Sequence, residues 1–520
     1  CVSPSSAREV PRQARDDNSG AIHRFSRDFC FQLRDSWPGS AMHLKVSRRI
    51  QQLLALLFCF LAVSTSQAQE KPNLLFIFAD DQCFRTINSL NNDEVETPNL
   101  DRLAARSTTF TRAYNMGSWS GAVCVASRTM LNTGKYIWRA NASNLKDLQE
   151  KGQLWSQLIG AAGYDTYFSG KWHVKADTSK IFKTARNVRP GMPNQTPTGY
   201  NRPIDGRPDP WDPSDPKFEG FWKGGKHWSE VLGDDAVEYL GTAAKNEAPF
   251  FMYLAFNAPH DPRQSPAEFV AKYPLENISM PPNFVPEYQW KEEMKSGKGL
   301  RDEKLAPFPR TENSVKVNRQ EYYAIITHLD VQVGRMLDAL EASGKADNTW
   351  IFYSADHGLA VGEHGLMGKQ NMFEHSVRVP LMVSGPGVPK GAKMDSPVYL
   401  QDIMATTIDL ADAEKPDHVE FQSLKPYLVD GGDPVVRSAI YGAYLDAQRM
   451  VTVGKDKLIL YPKAKVAVLY DVAADPFETK DLAKNPENLP LMKKLFQQLL
   501  ELQEDLDDKV DLKKVYPNFM

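Results

Sequence analysis

Residues 124–135 read Cys-Val-Ala-Ser-Arg-Thr-Met-Leu-Asn-Thr-Gly-Lys and follow a Gly/Ser-rich loop at 117–121. The pattern predicts a helix that begins near Val123 and stops at Gly134-Lys135. On that helix Cys124 lies in the first turn, with Arg128 one turn further along the same face. Unpaired backbone N–H groups and the positive end of the helix dipole surround such a side chain, which suits an anion. The same letters read equally well as a buried, inert cysteine.

Other chemistry-bearing residues sit where apolar runs end. Asp80-Asp81 closes the run 73–79, and adjacent carboxylates repel unless a cation lies between them. A solvated loop pair would look the same. Gly170-Lys171-Trp172-His173 follows 164–168, Asn257-Ala258-Pro259-His260 follows 250–256, and Asp356-His357-Gly358 follows 350–354. Helical patterns at 154–162, at 233–244 and from about 319 to 342 separate these runs, and another begins at Thr97-Pro98. The alternation predicts an α/β fold with a mostly parallel sheet flanked by helices. In such sheets ligands bind beyond the carboxyl ends of the strands. Each of these ends delivers Asp, Lys or His, and the recurrence predicts a single site.

The bulk composition limits the alternatives. The chain has 520 residues, a net charge of −3 and no basic tract that would suit nucleic acid. Lys45, Arg48 and Arg49, the apolar run 53–63 and Ser66-Gln67-Ala68 resemble a secretory signal peptide. The run is shorter than the roughly 20 residues a membrane span needs, so no stable membrane insertion is expected. Residues 42–68 are therefore expected to be removed near Ala68, giving an exported protein, periplasmic or secreted. Residues 1–41 are expected to be a non-native or disordered extension. Beyond residue 68 only Cys83 and Cys124 remain. No disulfide framework follows from them, and Cys83 reads as a bystander.

The segment Cys-x-Ala-Ser-Arg followed by Thr-Gly-Lys resembles the signature of the formylglycine-dependent type I sulfatases. Ala126 and Lys135 stand where Pro and Arg are usual. The likeness extends over most of 71–485 and includes 469–478, which resembles the Leu-Tyr-Asp…Asp-Pro-x-Glu ending of that family. It implies an alkaline-phosphatase-like domain at 69–395 and a smaller antiparallel-sheet-plus-helix subdomain at 396–520. It also implies that a formylglycine-generating enzyme oxidises Cys124 to Cα-formylglycine. The hydrated aldehyde would take SO₃ from an ester and then expel sulfate by collapsing to the aldehyde. Asp80, Asp81, Asp356, His357 and the modified Cys124 are the implied ligands of one Ca²⁺, with Mg²⁺ as the alternative ion. His357 stands where many members have Asn, as in the branch that includes iduronate and choline sulfatases. Arg128 corresponds to the arginine that holds the formylglycine. Lys171 and Lys369 correspond to the sulfate-clamping lysines, His173 to the histidine at the formylglycine hydroxyl, and His260 to the one facing the leaving oxygen.

Two long insertions, 176–230 and 261–318, read as irregular. The first carries Trp211, Trp222 and Trp228, which would stack on a sugar or roof the loop, and the roof is preferred. The charge run 291–304 reads as a solvated face. His364 and His375 flank Lys369 and would either line the substrate pocket or be structural, with the structural role preferred, and His227 and His328 carry no signal beyond that. After residue 396 a helix is predicted at 398–410, strands at 439–445, 448–453, 457–460 and 468–470, and a final helix at 489–506. The expected substrate is a sulfated small molecule or saccharide, with carbohydrate preferred. The alternatives are choline sulfate, a phosphodiester or phosphonate monoester, and an inactive sugar-binding relative. The oligomeric state is unreadable.

Overall fold

The computed structural model describes residues 70–520 except 91, 193–196, 430, 431, 433 and 435. The expected extension and signal peptide lie outside the described residues. Residues Lys71–Met520 form one compact unit. None of its described helices is long and apolar enough to cross a membrane.

The first strand, β1 (Asn73–Ala79), is buried along its whole length. Both of its faces carry apolar side chains, as a central parallel strand requires. The strands that follow are β2 (Thr108–Phe110), β3 (Ala113–Tyr114), β4 (Gly117–Ser118), β5 (Asp165–Lys171), β6 (Thr184–Arg189), β7 (Phe250–Ala255) and β8 (Thr349–Ala355). After them come β9 (Arg378–Val379), β10 (Leu381–Ser384), β11 (Ala392–Met394) and β12 (Val398–Tyr399). The helices that cover and connect them are α1 (Pro98–Ala105), α2 (Val123–Thr133), α3 (Trp155–Ala161), α4 (Trp228–Ala243) and α5 (Glu312–Ala342).

The main sheet has eight strands in the order β11-β2-β10-β8-β1-β7-β5-β6. From β8 to β6 every pairing is parallel. The expectation of a mostly parallel sheet therefore holds for the part that ends at the site. On the other side β10 runs antiparallel to both β8 and β2, so the sheet as a whole is mixed.

Three sequence expectations need correction. The insertion 176–230 is not wholly irregular, because β6 lies inside it and extends the sheet beyond β5. Its residues are half-buried or exposed, so no apolar run marks it. Helix α5 starts at Glu312, well before 319, with the Thr311 hydroxyl accepting from the Ser314 backbone N–H at 3.2 Å. Its first turns are too polar to show the pattern. The stretch 398–410 is not one helix. Val398 and Tyr399 pair with β3, and α6 begins only at Asp402 (Asp402–Leu410).

Beyond α6 the chain forms β13 (Ile440–Tyr444), β14 (Gln448–Val453), β15 (Asp456–Tyr461) and β16 (Val466–Asp471), followed by α7 (Leu489–Asp505). These four strands pair antiparallel in sequence. A fifth strand, β4, joins β13 in parallel through Ala443↔Gly117 and Tyr444↔Ser118. The loop leading into the Cys124 helix thus belongs to the C-terminal sheet. Gly117 has φ +90° there, and a Cβ on it would lie 2.0 Å from the Ala443 carbonyl oxygen.

Candidate active site

The carboxyl ends of β1, β5, β7 and β8 deliver their polar residues to one buried place, facing the N-terminus of α2. Asp80, Asp81, Arg128, Lys171 and Asp356 are inaccessible to solvent, Cys124, His260, His357 and Lys369 almost so, and His173 is half-buried. All ten residues singled out in the sequence converge.

Backbone geometry contributes to this. Asp81 (φ 70°) and His173 (φ 53°) adopt left-handed conformations immediately after their strands. In non-glycine residues such conformations persist only where surrounding contacts impose them. At Asp81 the contacts are visible. Its N–H donates to Asp356 Oδ1 at 3.0 Å, and its carbonyl accepts from the Tyr322 hydroxyl at 2.6 Å. Gly170 (φ +97°) lets β5 lie close against β7, since a Cβ there would lie 1.9 Å from the Ala255 carbonyl oxygen, and the pairing of β5 with β6 is bulged between Ser169 and Gly170. The bulge comes one residue before Lys171.

Cys124 Sγ lies 3.8 Å from Asp81 Oδ1, 3.4 Å from His357 Nε2 and 3.6 Å from Lys369 Nζ. Burial alone would raise its pKa, but Lys171, Lys369 and His357 outweigh burial and hold the thiol well below its ordinary range. His173 also lies beside the thiol and helps to hold it down. Single ligand atoms of Asp81, Cys124, Asp356 and His357 all lie within 4.8 Å of one another. His357 Nδ1 contacts the Gly358 carbonyl oxygen at 3.0 Å, which aims Nε2 into this group.

Arg128 does not reach Cys124 with a hydrogen bond. It passes beneath, with Nε donating to Asp356 Oδ2 at 3.0 Å, Nη1 to the Lys171 carbonyl at 2.6 Å, and Nη2 3.5 Å from Asp80 Oδ1. The Lys171 ammonium bonds to Asp80, and that of Lys369 to Asp81 Oδ2 at 2.5 Å. Burial and the nearby Cys124 push the Asp80 carboxyl well up despite Lys171. Burial also opposes the charge of Asp356, yet His357, Arg128 and Lys171 outweigh it and hold that carboxyl at about 2. Against burial Asp80 has chiefly Lys171, whereas Asp356 has His357 first and then Arg128 and Lys171. His260 Nδ1 contacts the Asp261 carbonyl oxygen at 2.7 Å, and its Nε2 lies 3.1 Å from Lys369 Nζ.

Several residues here had no signal in the sequence. Asp261, Asp302 and Arg301 surround His260 and Lys369. The charge run 291–304 is consequently not a solvated face throughout, since Asp302 and Glu303 are buried. Only Asp261 could have been suspected, as the neighbour of His260. Trp211 is buried and stacked on Phe218, Trp228 lies under the Arg189 guanidinium, and Trp222 is half-buried, as the roof reading expects. His364 and His375 pack around Phe373, and His227 meets His328 edge-on at 4.5 Å. Cys83 is free and buried, and burial lifts its thiol to about 11.

The sulfatase family profile matches residues 72–413, which contain every residue of this cluster. The chain belongs to the type I sulfatase family. It is a sulfuric ester hydrolase with the alkaline-phosphatase-like fold. A second profile, N-sulphoglucosamine sulphohydrolase C-terminal, matches residues 362–505. Among curated relatives, an ulvan-active sulfatase of Formosa agariphila is 26% identical, over 89% of this chain and 87% of its own. A choline-sulfatase of Rhizobium meliloti is 29% identical, over 80% of this chain and 83% of its own. A solved structure of a protein with its substrate D-glucosamine-2-N,6-O-disulfate aligns with TM-score 0.66 at 22% identity. It covers 85% of this chain and 99% of that one.

Proposed function

We propose that this sulfatase hydrolyses a sulfate monoester on a saccharide, with position 124 as the nucleophile after oxidation of Cys124 to formylglycine. The observation carrying the reading is the place of Cys124 Sγ, buried between Asp81, His357 and Lys369 at 3.4–3.8 Å. The donor set fits a hard cation. Asp81 and Asp356 meet Cys124 and His357 without solvent, Asp80 forms a second buried group with Cys124 and His260, and Asp80 Oδ1 has no hydrogen-bond partner among the described residues. Asp80, Asp81, Asp356 and His357 would hold Ca²⁺, with Mg²⁺ as the alternative and the imidazole as the atypical ligand. When bound, the ion would withdraw charge from the sulfate oxygens and from the nucleophile. Formylglycine would supply an oxygen nucleophile that is regenerated through its aldehyde.

The remaining work falls to the chain's own side chains. Lys171 and Lys369 bring buried ammonium groups to the sulfate oxygens, an electrostatic contribution of about 3 kcal/mol for each removable contact. Arg128 fixes Asp80 and Asp356 instead of touching the nucleophile. Burial holds His173 below the ordinary imidazole range, so it is neutral and able to accept the proton from position 124. The Nδ1–H of His260 donates to the Asp261 carbonyl, so Nε2 is the nitrogen left facing the leaving oxygen, and it would deliver a proton there from the doubly protonated imidazolium. The saccharide preference draws on the ulvan-active relative and on the disulfated glucosamine in the aligned structure. The reading includes export after cleavage near Ala68 and a formylglycine-generating enzyme as partner.

The test has two parts. Peptide mass at position 124 must show aldehyde in place of thiol. Sulfate release is then compared for sulfated mono- and oligosaccharides, choline sulfate, and an aryl phosphodiester or phosphonate monoester. Release from choline sulfate alone, or a preference for the phosphorus esters, overturns the substrate assignment. A persistent thiol with no turnover identifies an idle sugar-binding relative.

A further inference from the structure

Beside His260 the two long insertions close over the site. Arg301 places Nη2 3.3 Å from His260 Nε2. Its Nε and Nη2 are both held by Asp302 Oδ1, at 2.8 and 2.7 Å. Asp302 is buried, accepts from Gln370 Nε2 at 2.8 Å and lies 3.7 Å from Lys369 Nζ. Asp261 Oδ2 is 3.8 Å from Arg301 and accepts from the Tyr200 hydroxyl at 3.1 Å. One edge of the guanidinium is thus immobilised. Its Nη1 makes no hydrogen bond among the described residues, and the side chain is 44% exposed.

A guanidinium anchored along one edge presents the other in fixed geometry to a second oxyanion. Its charge remains available, because Asp302 is shared with Lys369 and Asp261 with His260. The contact with His260 places Arg301 on the leaving-group side, away from the ester sulfate.

We propose that Arg301 determines specificity by binding a second anionic group, carboxylate or sulfate, on the saccharide that leaves. This rests on the reading above of His260 as the residue facing the leaving oxygen. The enzyme then prefers acidic or multiply sulfated saccharides over neutral ones carrying a single sulfate.

The test uses the matured full chain on matched substrates: a sulfated uronate disaccharide and its methyl ester, and a disulfated and a monosulfated glucosamine. The wild type is expected to favour the acid over the ester, or the disulfated over the monosulfated sugar, by about 10- to 100-fold in kcat/KM, chiefly through KM. Preference in the first pair alone identifies a carboxylate, in the second alone a sulfate. Arg301→Gln abolishes the preference, and Arg301→Lys restores part of it. Equal rates within both pairs, or a preference unchanged in Arg301→Gln, overturn the proposal while leaving the sulfatase reading intact, and a neutral hydroxyl is then the partner. Absence of sulfate release from every substrate by wild-type enzyme with formylglycine at position 124 sinks both.

Discussion

Replacing Lys457 by Met tests how the C-terminal sheet is fastened to the rest of the chain. The Lys457 ammonium, on β15, lies 2.9 Å from Glu374 Oε1 and 2.8 Å from Glu478 Oε1, and all three side chains are excluded from solvent. Glu374 is also 3.5 Å from Arg378 Nη1, and its backbone N–H donates to Glu478 Oε2 at 2.7 Å. One ammonium thus serves two carboxylates. Burial and Glu374 push the Glu478 carboxyl up to about 7, against the pull of Lys457. Methionine keeps the stem and removes the charge. Breaking a buried pair in this way costs about 3–5 kcal/mol at neutral pH. The sign of the pH dependence follows from the raised carboxyl. A group whose folded value lies above its unfolded value stabilises the fold below the unfolded value, and that stability is lost as pH rises through the folded value. Without Lys457 the folded value climbs further, so the deficit of Lys457→Met should grow from pH 5 to pH 8, above a part already present at pH 5 from Glu374, whose carboxyl Lys457 holds below its usual range. Urea unfolding of both proteins at pH 5, 6.5 and 8, followed by tryptophan fluorescence, measures that difference. Titrations common to both proteins cancel in it. Adding Glu478→Gln to the variant should recover much of the loss at pH 8. A deficit independent of pH, or no recovery in the double variant, refutes the argument.

Burial holds His227 and His375 well below the ordinary imidazole range, with His328 at about 4 and His364 at about 3. The unfolded chain takes up these protons first, so stability should fall as pH drops below about 6.5, by up to roughly 1.4 kcal/mol per pH unit for each histidine. His364→Phe, preserving the stack on Phe373, should shift the acid unfolding midpoint downward. Lys369→Met should lower kcat for aryl sulfate hydrolysis by about 10²–10³-fold, with circular dichroism reporting retained fold. Gly170→Ala forces a Cβ into the Ala255 carbonyl and should displace Lys171, lowering both melting temperature and kcat. Chelation by EGTA should lower the melting temperature of the wild type, and Ca²⁺ should restore it, whereas Asp356→Asn should blunt both responses.

Strands β1, β7 and β8 were readable because strands buried on both faces are continuous apolar runs, and the residues just past such runs are the ones the sheet presents to a ligand. The site was legible for the same reason, since its polar residues follow immediately on those runs. Strand β6 was not, because its half-exposed residues carry no period. The two- to four-residue strands β3, β4, β9, β10 and β12 were too short to show a pattern. Arg301 and Asp302 were missed because a charge run gives no sign of which members fold inward. The true partners of Arg128, two carboxylates more than 40 and 200 positions away, depend on tertiary geometry alone.

The pairing of Gly117–Ser118 with Ala443–Tyr444 imposes an order of events on a growing polypeptide. The segment immediately before Cys124 cannot reach its final place until residue 444 has been made, more than 300 positions later. The last strands to be synthesised therefore complete the support of the segment that leads into position 124, although every side chain that surrounds the thiol precedes them in the chain.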